Sequence, residues 1–215
     1  MRRIGIMGGT FNPVHNGHLM IAERAREQFY LEKVLFLPSG VPYMKNPEDV
    51  LPVKIRCEMT ALAIADIPCF ELSSMEAVDA ETGKNTYTFE TLEKLKQTDP
   101  SAEYYFIMGA DSLQAIESWK NPQRIFQSCT ILAAVRKAED HPGESLMAPL
   151  IRQASCLRKK YNASIEILKL EGIDISSTKL REMLREGVSV HGFMPKAVEH
   201  YILEHHLYEG EDFHE

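Results

Sequence analysis

Short apolar runs alternate with amphipathic stretches along nearly the whole chain. Most of the runs are uninterrupted, which is typical of strands that are buried on both faces of a sheet. The stretches between them repeat their apolar residues at helical spacing. The predicted strands are Ile4–Met7, Val34–Leu37, Phe70–Met75, Tyr104–Met108, Thr130–Val135 and Ile165–Leu170. The predicted helices are His18–Tyr30, Val53–Ala65, Thr88–Gln97, Leu113–Trp119, Leu146–Tyr161, Ser176–Glu186 and Pro195–His205.

The alternation of strands and helices predicts the fold class. Strands separated by helices favour an α/β fold with a doubly wound parallel sheet, Rossmann-like in its layout, and right-handed crossovers. The length of 215 residues suits a single domain over 1–215, with a small C-terminal helical portion at about 176–208. The proline-rich stretch 39–52 predicts a long loop, and the His-rich tail 205–215 a loosely packed end.

Composition and charge exclude several classes of protein. The chain is 44% hydrophobic and 26% charged, which argues against disorder and coiled coil. Its net charge of -7 argues against binding to nucleic acid or to a membrane surface, although a few local cations can still hold a small anion. The four cysteines form no CxxC pair, and no apolar run approaches the roughly 18 residues of a membrane span. We therefore expect a cytoplasmic protein without disulfides.

The turn after the first predicted strand carries the first candidate site. Gly8 and Gly9 lack a Cβ, so the backbone can turn sharply and approach a phosphate closely. His15 and His18 are three residues apart across a helix N-terminus, which favours anions. The glycines alone fit an ordinary turn equally well, but the glycines together with the histidines favour phosphate binding. The histidine spacing could also serve a metal, but no third ligand is nearby.

Other phosphate-binding motifs are absent from the sequence. There is no GxxxxGK[ST] segment, which excludes a P-loop. There is also no GxGxxG after the first strand, which argues against a dehydrogenase. A second candidate lies near the C-terminus, where Ser176 or Ser177 can cap a new helix and Arg181 follows one turn later. Alone it would be an ordinary capped helix, but with the first turn it predicts a second grip on phosphate oxygens.

These two segments carry a family resemblance. Residues 9–18 resemble the GTFDPxHxGH signature of the nucleotidyltransferase superfamily with the HxGH motif, and 175–181 resemble its ISSTxxR element. Within that superfamily the chain is most similar to the bacterial nicotinate-mononucleotide adenylyltransferase family, from Arg3 to about Tyr208. The resemblance implies an α/β enzyme that joins nicotinate mononucleotide to the AMP part of ATP and releases pyrophosphate.

Further segments support the similarity. Residues 86–92 resemble the family's SYTxxTL segment, and 106–111 its strand that ends in GAD. Trp119 and Arg136 stand where the family pattern has Trp and Arg, the latter loosely. Residues 42–45 stand at the family's PPHK segment but lack its histidine, so that only Lys45 carries over.

The resemblance implies a role for each of these residues. Because the attacking phosphate is already an anion, positioning and charge neutralisation must supply most of the catalysis. Mg²⁺ would accompany ATP, held mainly by phosphates and water rather than by protein ligands. The implied catalytic residues are His15, His18, Lys45 and Arg181. The implied ATP-binding residues are Gly8, Gly9, Thr10, Phe11, His15, His18, Gly109, Asp111, Arg136, Ile175, Ser176, Ser177 and Arg181. The implied mononucleotide-binding residues are Lys45, Tyr87, Thr88, Asp111 and Trp119.

The sequence leaves several alternatives open. The acceptor could instead be nicotinamide mononucleotide, phosphopantetheine or glycerol phosphate. A nucleotide-binding regulator without turnover would be expected to lack a catalytic cation, and none is missing here. Trp119 is a core residue in one reading and a platform for the pyridine ring in the other. The C-terminal helices could offer a surface for a homo-oligomer.

Overall fold

Six parallel strands form the sheet at the centre of the molecule. The computed structural model describes residues 2–41, 49–81, 85–136, 147–170 and 175–209, without the side chains of Glu81, Arg136 and Lys169. The sheet order is β3-β2-β1-β4-β5-β6. The strands are β1 (Arg2–Gly9), β2 (Lys33–Pro38), β3 (Phe70–Leu72), β4 (Ala102–Gly109), β5 (Thr130–Arg136) and β6 (Ile165–Leu170). The predicted doubly wound α/β fold is confirmed.

Helices cover both faces of this sheet. Those that precede β6 lie in the connections between successive parallel strands, and the last two follow β6. A single 3-10 turn, Ile116–Ser118, follows the fifth of them. The helices are α1 (Asn16–Phe29), α2 (Val53–Ile64), α3 (Met75–Glu81), α4 (Thr88–Thr98), α5 (Ala110–Ala115), α6 (Pro122–Ser128), α7 (Met147–Tyr161), α8 (Ser177–Arg185) and α9 (Lys196–Glu204).

The alternation of side chains along each strand creates two separate cores. Ile6 of β1 packs among residues of α4, α5, α6 and α7, whereas its neighbour Met7 packs among residues of α1, α2, α8 and α9. The same alternation recurs in β4, where Phe106 joins the first core and Ile107 the second. Adjacent strand residues point to opposite faces, which explains why the central part of each of these strands is apolar at successive positions.

The structure differs from the sequence prediction in three places. Helices α3 and α6 were not predicted, and α3 begins where the third strand was expected to continue. The prediction of a loose tail from residue 205 was wrong for 205–209, because Leu207 and Tyr208 pack against the second core. The Leu207 amide also donates to the Ile202 carbonyl at 2.9 Å. None of the described helices is long and apolar enough to cross a bilayer.

Candidate active site

The order in which the chain adds strands reverses between β1 and β4, the point at which open parallel sheets form a crevice. The chain runs outward from β1 to β3, returns to β4 and then runs outward to β6. Ligands of open parallel sheets bind beyond the carboxyl ends of strands at such a point. Here β1 ends at Gly9 and β4 at Gly109, and a Cβ built on Gly109 would meet no described atom within 4 Å. Asp111 lies exposed just beyond it.

The sequence predicted that Gly8 and Gly9 make the turn after β1. The structure shows that this prediction was wrong. Gly8 and Gly9 are the last residues of β1. A Cβ on Gly8 would lie 2.8 Å from the Phe106 ring, and one on Gly9 would lie 2.9 Å from the Phe11 ring. The glycines therefore make room for aromatic packing. The chain reverses at Phe11, whose φ is 50° and whose buried ring holds it there, and the Asn12–Pro13 peptide is cis.

His15 and His18 meet at the start of α1. Their rings stack with centroids 3.7 Å apart and planes 29° apart. The His15 backbone N–H donates to Nδ1 of His18 at 3.2 Å. Because Nδ1 accepts this bond, it carries no proton, and in the neutral ring the proton lies on Nε2. The His18 ring therefore offers an N–H donor at a helix N-terminus, a position that favours anions.

The N-terminus of α8 is bonded to the same turn. Ser176 caps the helix by accepting the Lys179 N–H at 3.2 Å. Ser177 donates from Oγ to the Pro13 carbonyl at 2.9 Å, and Arg181 donates from Nη1 to the Asn12 carbonyl at 2.8 Å. The Arg181 Nε is buried and has no hydrogen-bond partner among the described residues. The two predicted segments are thus brought together, with the half-buried Ile175 beside them.

A buried arginine that was not predicted holds the turn from the other side. Arg56 of α2 is 1% exposed. It donates to the carbonyls of Thr10 at 2.8 Å, Leu51 at 2.8 Å and Gly40 at 2.9 Å. Burial lowers the pKa of Arg56, but a guanidinium stays charged throughout the physiological range. Arg56 therefore ties the turn to the chain on both sides of residues 42–48.

Two of the predicted mononucleotide-binding residues lie against the first core. Tyr87 and Trp119 are both partly buried and pack on it, and Thr88 is the first residue of α4. The Trp119 ring stands edge-on to Phe106, with centroids 6.4 Å apart and planes at 90°. Trp119 is thus neither fully buried nor free of the core. The phosphate turn packs against the opposite core, so the two groups of residues flank the crevice from different faces of the sheet.

Glu76 of α3 organises the side of the crevice near Tyr87. Its buried carboxylate accepts the Thr91 hydroxyl at 2.9 Å, the Thr86 hydroxyl at 3.1 Å and the Gly40 N–H at 3.3 Å. Burial raises its pKa above the usual range, and the three hydrogen bonds oppose that rise. Glu76 therefore joins the segment before α4 to the loop after β2.

Two predicted residues cannot be placed in the site. Lys45 and the side chain of Arg136 lie outside the described part of the chain. Within that part, no three His, Cys, Asp or Glu side chains are grouped as a metal site would need. A Mg²⁺ ion at the crevice would thus be held mainly by phosphate and water oxygens rather than by a cluster of carboxylates.

Sequence reasoning missed Arg56, Glu76 and Tyr208. A signal existed for Arg56, because it shares helical spacing with Met59 and Ala63, which are buried. Leu207 and Tyr208 likewise stand out as an apolar pair in a polar tail. Glu76 left no comparable signal, since its partners come from two other segments.

Comparisons with known proteins identify the family of this chain. The cytidylyltransferase-like family model matches residues 6–183. A protein of Lachnoclostridium phytofermentans with the name "Probable nicotinate-nucleotide adenylyltransferase" is 41% identical over 97% of this chain and 100% of its own. A protein of the same name from Geobacter metallireducens is 38% identical over 96% of this chain and 98% of its own.

A solved structure shows the same fold at lower identity. The nicotinic acid mononucleotide adenylyltransferase of Plasmodium falciparum, complexed with NaAD, superposes with a TM-score of 0.75. It covers 97% of this chain and 98% of its own at 17% identity. The match of the family model to residues 6–183 places the chain among the cytidylyltransferase-like proteins, and its full-length similarity at 41% identity makes it a member of the nicotinate-nucleotide adenylyltransferase family.

Proposed function

We propose that this chain transfers the adenylyl group of ATP to nicotinate mononucleotide, forming nicotinate adenine dinucleotide and pyrophosphate. The observation that carries the proposal is the pair of hydrogen bonds from Ser177 and Arg181 to the turn of His15 and His18. These bonds bring the N-termini of two helices to one end of β1, where a triphosphate can be held. The names of the full-length relatives support the choice of acceptor. The reaction would take place in the cytoplasm.

The chemistry requires neutralisation of charge more than proton transfer. A phosphate oxygen of the mononucleotide forms a bond to the α-phosphorus of ATP. The bond from that phosphorus to the bridging oxygen breaks, and its electron pair leaves with pyrophosphate. The nucleophile is anionic at neutral pH, so no general base is needed. Catalysis then depends on holding the two phosphates in line and on stabilising the negative charge that builds up on the leaving group.

The residues of the turn divide this task among them. We assign the His18 N–H and the N-terminus of α1 to the α-phosphate region, with His15 beside them. Arg181 and Ser177 would hold the β- and γ-phosphates. The buried Nε of Arg181 fits this role, since an unpaired N–H in that position lacks only an acceptor. Gly8, Gly9, Thr10 and Phe11 would shape the nucleotide side together with Gly109.

The acceptor would occupy the other side of the crevice. Trp119 is partly buried and could stack on the pyridine, with Tyr87 on the same core and Thr88 next to Tyr87 at the start of α4. Asp111 would bind a ribose hydroxyl at the end of β4. Lys45 and Arg136 would add positive charge near the phosphates, and Mg²⁺ would enter with ATP.

The reaction can be tested by following pyrophosphate release. Purified protein is incubated with ATP, Mg²⁺ and either nicotinate or nicotinamide mononucleotide. We expect release with nicotinate mononucleotide and much slower release with the amide. Faster release with the amide would overturn the acceptor, and ATP binding without release with either would identify a nucleotide-binding regulator.

The phosphate side of the site can be tested with a matched pair of arginines. Arg181 and Arg185 lie one turn apart on α8, but Arg185 is exposed and makes no described contact with the turn. Arg181→Ala should lower kcat by about 10²-fold or more, the scale of removing one charge-stabilising donor. Arg185→Ala should stay within about twofold of the parent rate. Equal effects of the two substitutions would remove Arg181 from the site.

A further inference from the structure

Asn12 is a junction between four segments of the chain. Its side-chain Oδ1 accepts the Leu51 N–H at 3.2 Å, and its Nδ2 donates to the Asp49 carbonyl at 2.9 Å. Its backbone carbonyl accepts Arg181 at 2.8 Å. The side chain is only 3% exposed, so each of these partners is needed to satisfy a buried polar group. Movement of Asn12 would therefore shift Arg181 relative to the turn.

The fourth segment is the C-terminal end of the described chain. The Tyr208 hydroxyl donates to Oδ1 of Asn12 at 2.9 Å. Burial raises the pKa of Tyr208 far above its usual value, so the phenol stays protonated and acts as a donor. Arg56 and Arg181 are close enough to act on Tyr208 electrostatically. The tyrosine thus lies near both of the arginines that hold the turn.

The segment before Tyr208 brings it into place through its own contacts. The Leu207 N–H donates to the Ile202 carbonyl of α9, so the chain folds back on this helix just before Tyr208. Tyr208 has a φ of 67°, a left-handed conformation that costs a non-glycine residue of order 1 kcal/mol. Packing and hydrogen bonding at the ring compensate for that strain, which indicates that the position of the hydroxyl is specified.

We propose that Tyr208 is a positioning residue for adenylyl transfer, acting through Asn12 to fix the turn of His15 and His18 against Arg181. We assign it no contact with substrate. It restricts the movement of Asn12. Asn12 in turn bonds Arg181 through its backbone carbonyl, and bonds Asp49 and Leu51, which precede α2, through its side chain. The kinetic part of this inference rests on the proposed function, whereas its effect on ATP binding does not depend on the acceptor.

The test compares two tyrosine hydroxyls of the same C-terminal region. Tyr208→Phe removes the bond to Asn12 and keeps the ring, whereas Tyr201→Phe removes a hydroxyl that bonds Glu58 on α2, away from the turn. At a temperature well below both unfolding midpoints, Tyr208→Phe should lower kcat by about tenfold, as expected for losing one hydrogen bond that positions the site. Tyr201→Phe should leave kcat within about twofold.

Two further measurements distinguish a positioning role of Tyr208 from a general effect on stability, and one of them does not depend on the identity of the acceptor. In a double-mutant cycle, Tyr208→Phe should add little to the defect of Asn12→Ala, because both act through one contact. The rise in unfolding temperature on adding ATP and Mg²⁺ should be smaller for Tyr208→Phe than for Tyr201→Phe. An unchanged kcat for Tyr208→Phe, fully additive defects, or equal shifts with ATP would each overturn the proposal. Absence of turnover in the parent protein would contradict the proposed function alone.

Discussion

Replacing Arg56 by alanine removes a buried side chain that ties three segments of the chain together. The guanidinium makes three hydrogen bonds to carbonyl oxygens, of 2.8, 2.8 and 2.9 Å. Hydrogen bonds from a charged group contribute about 1.5–3 kcal/mol each, so the bonds together contribute roughly 5–9 kcal/mol. Relief from burying the charge offsets several kcal/mol of this sum. We expect a net loss of about 3–5 kcal/mol in the free energy of unfolding.

Urea denaturation at neutral pH measures this loss directly. With an m-value of about 2 kcal/mol/M, the midpoint should fall by roughly 1.5–2.5 M. The control is Lys54→Ala, which removes an exposed positive charge from the same helix and should change stability by less than about 0.5 kcal/mol. If Arg56→Ala loses less than about 1 kcal/mol, the three carbonyls do not depend on the guanidinium and the reasoning is refuted.

Five further outcomes follow from the site and its surroundings. Gly40→Ala should destabilise the fold, because its Cβ would lie 2.6 Å from the Glu76 carbonyl oxygen. Gly109→Ala should leave the unfolding midpoint unchanged and raise the KM for ATP, because the new Cβ meets no described atom of the protein within 4 Å. An unchanged KM would contradict an ATP site at the end of β4. His18→Ala should lower kcat by about 10²-fold while the protein remains folded, and a loss below tenfold would remove it from the catalytic residues. Trp119→Ala should raise the KM for the mononucleotide and spare that for ATP, whereas equal damage would indicate a core defect. Burial raises the pKa of Glu76 in the folded state, so protonation of Glu76 favours folding. The free energy of unfolding of the parent relative to Glu76→Gln should therefore be greatest below pH about 4.5 and fall as the pH rises. A difference in unfolding free energy that stays constant with pH would contradict this.

The strands were predictable because burial on both faces leaves a direct mark on the sequence. The run at Ile4–Met7 contains only apolar residues and glycine, and β1 extends over it. Helices α3 and α6 were missed because each has seven residues, too few for a helical period to show clearly. At Met75 the chain begins α3 after only three residues of β3, so tertiary packing decided between helix and strand.

The candidate site was predictable to the extent that its residues lie in short motifs. His15 and His18 form one local unit, and Ser177 and Arg181 form another, so their types and spacing were visible. The physical role of the glycines was misread, because the ring of Phe106 that excludes a Cβ at Gly8 comes from a distant strand. Contacts of this kind are made by the fold and leave no local pattern.

The contacts that complete the phosphate side of the crevice join the two ends of the chain. Ser177 bonds a residue 164 positions earlier, Arg181 one 169 positions earlier, and Tyr208 one 196 positions earlier. Such distant contacts form late, since they close very large loops. During synthesis the N-terminal part emerges first, and it cannot form these contacts until Ser177, Arg181 and Tyr208 have been added. A chain that is still being synthesised therefore contains the residues of the turn after β1 long before the phosphate side of the site can form.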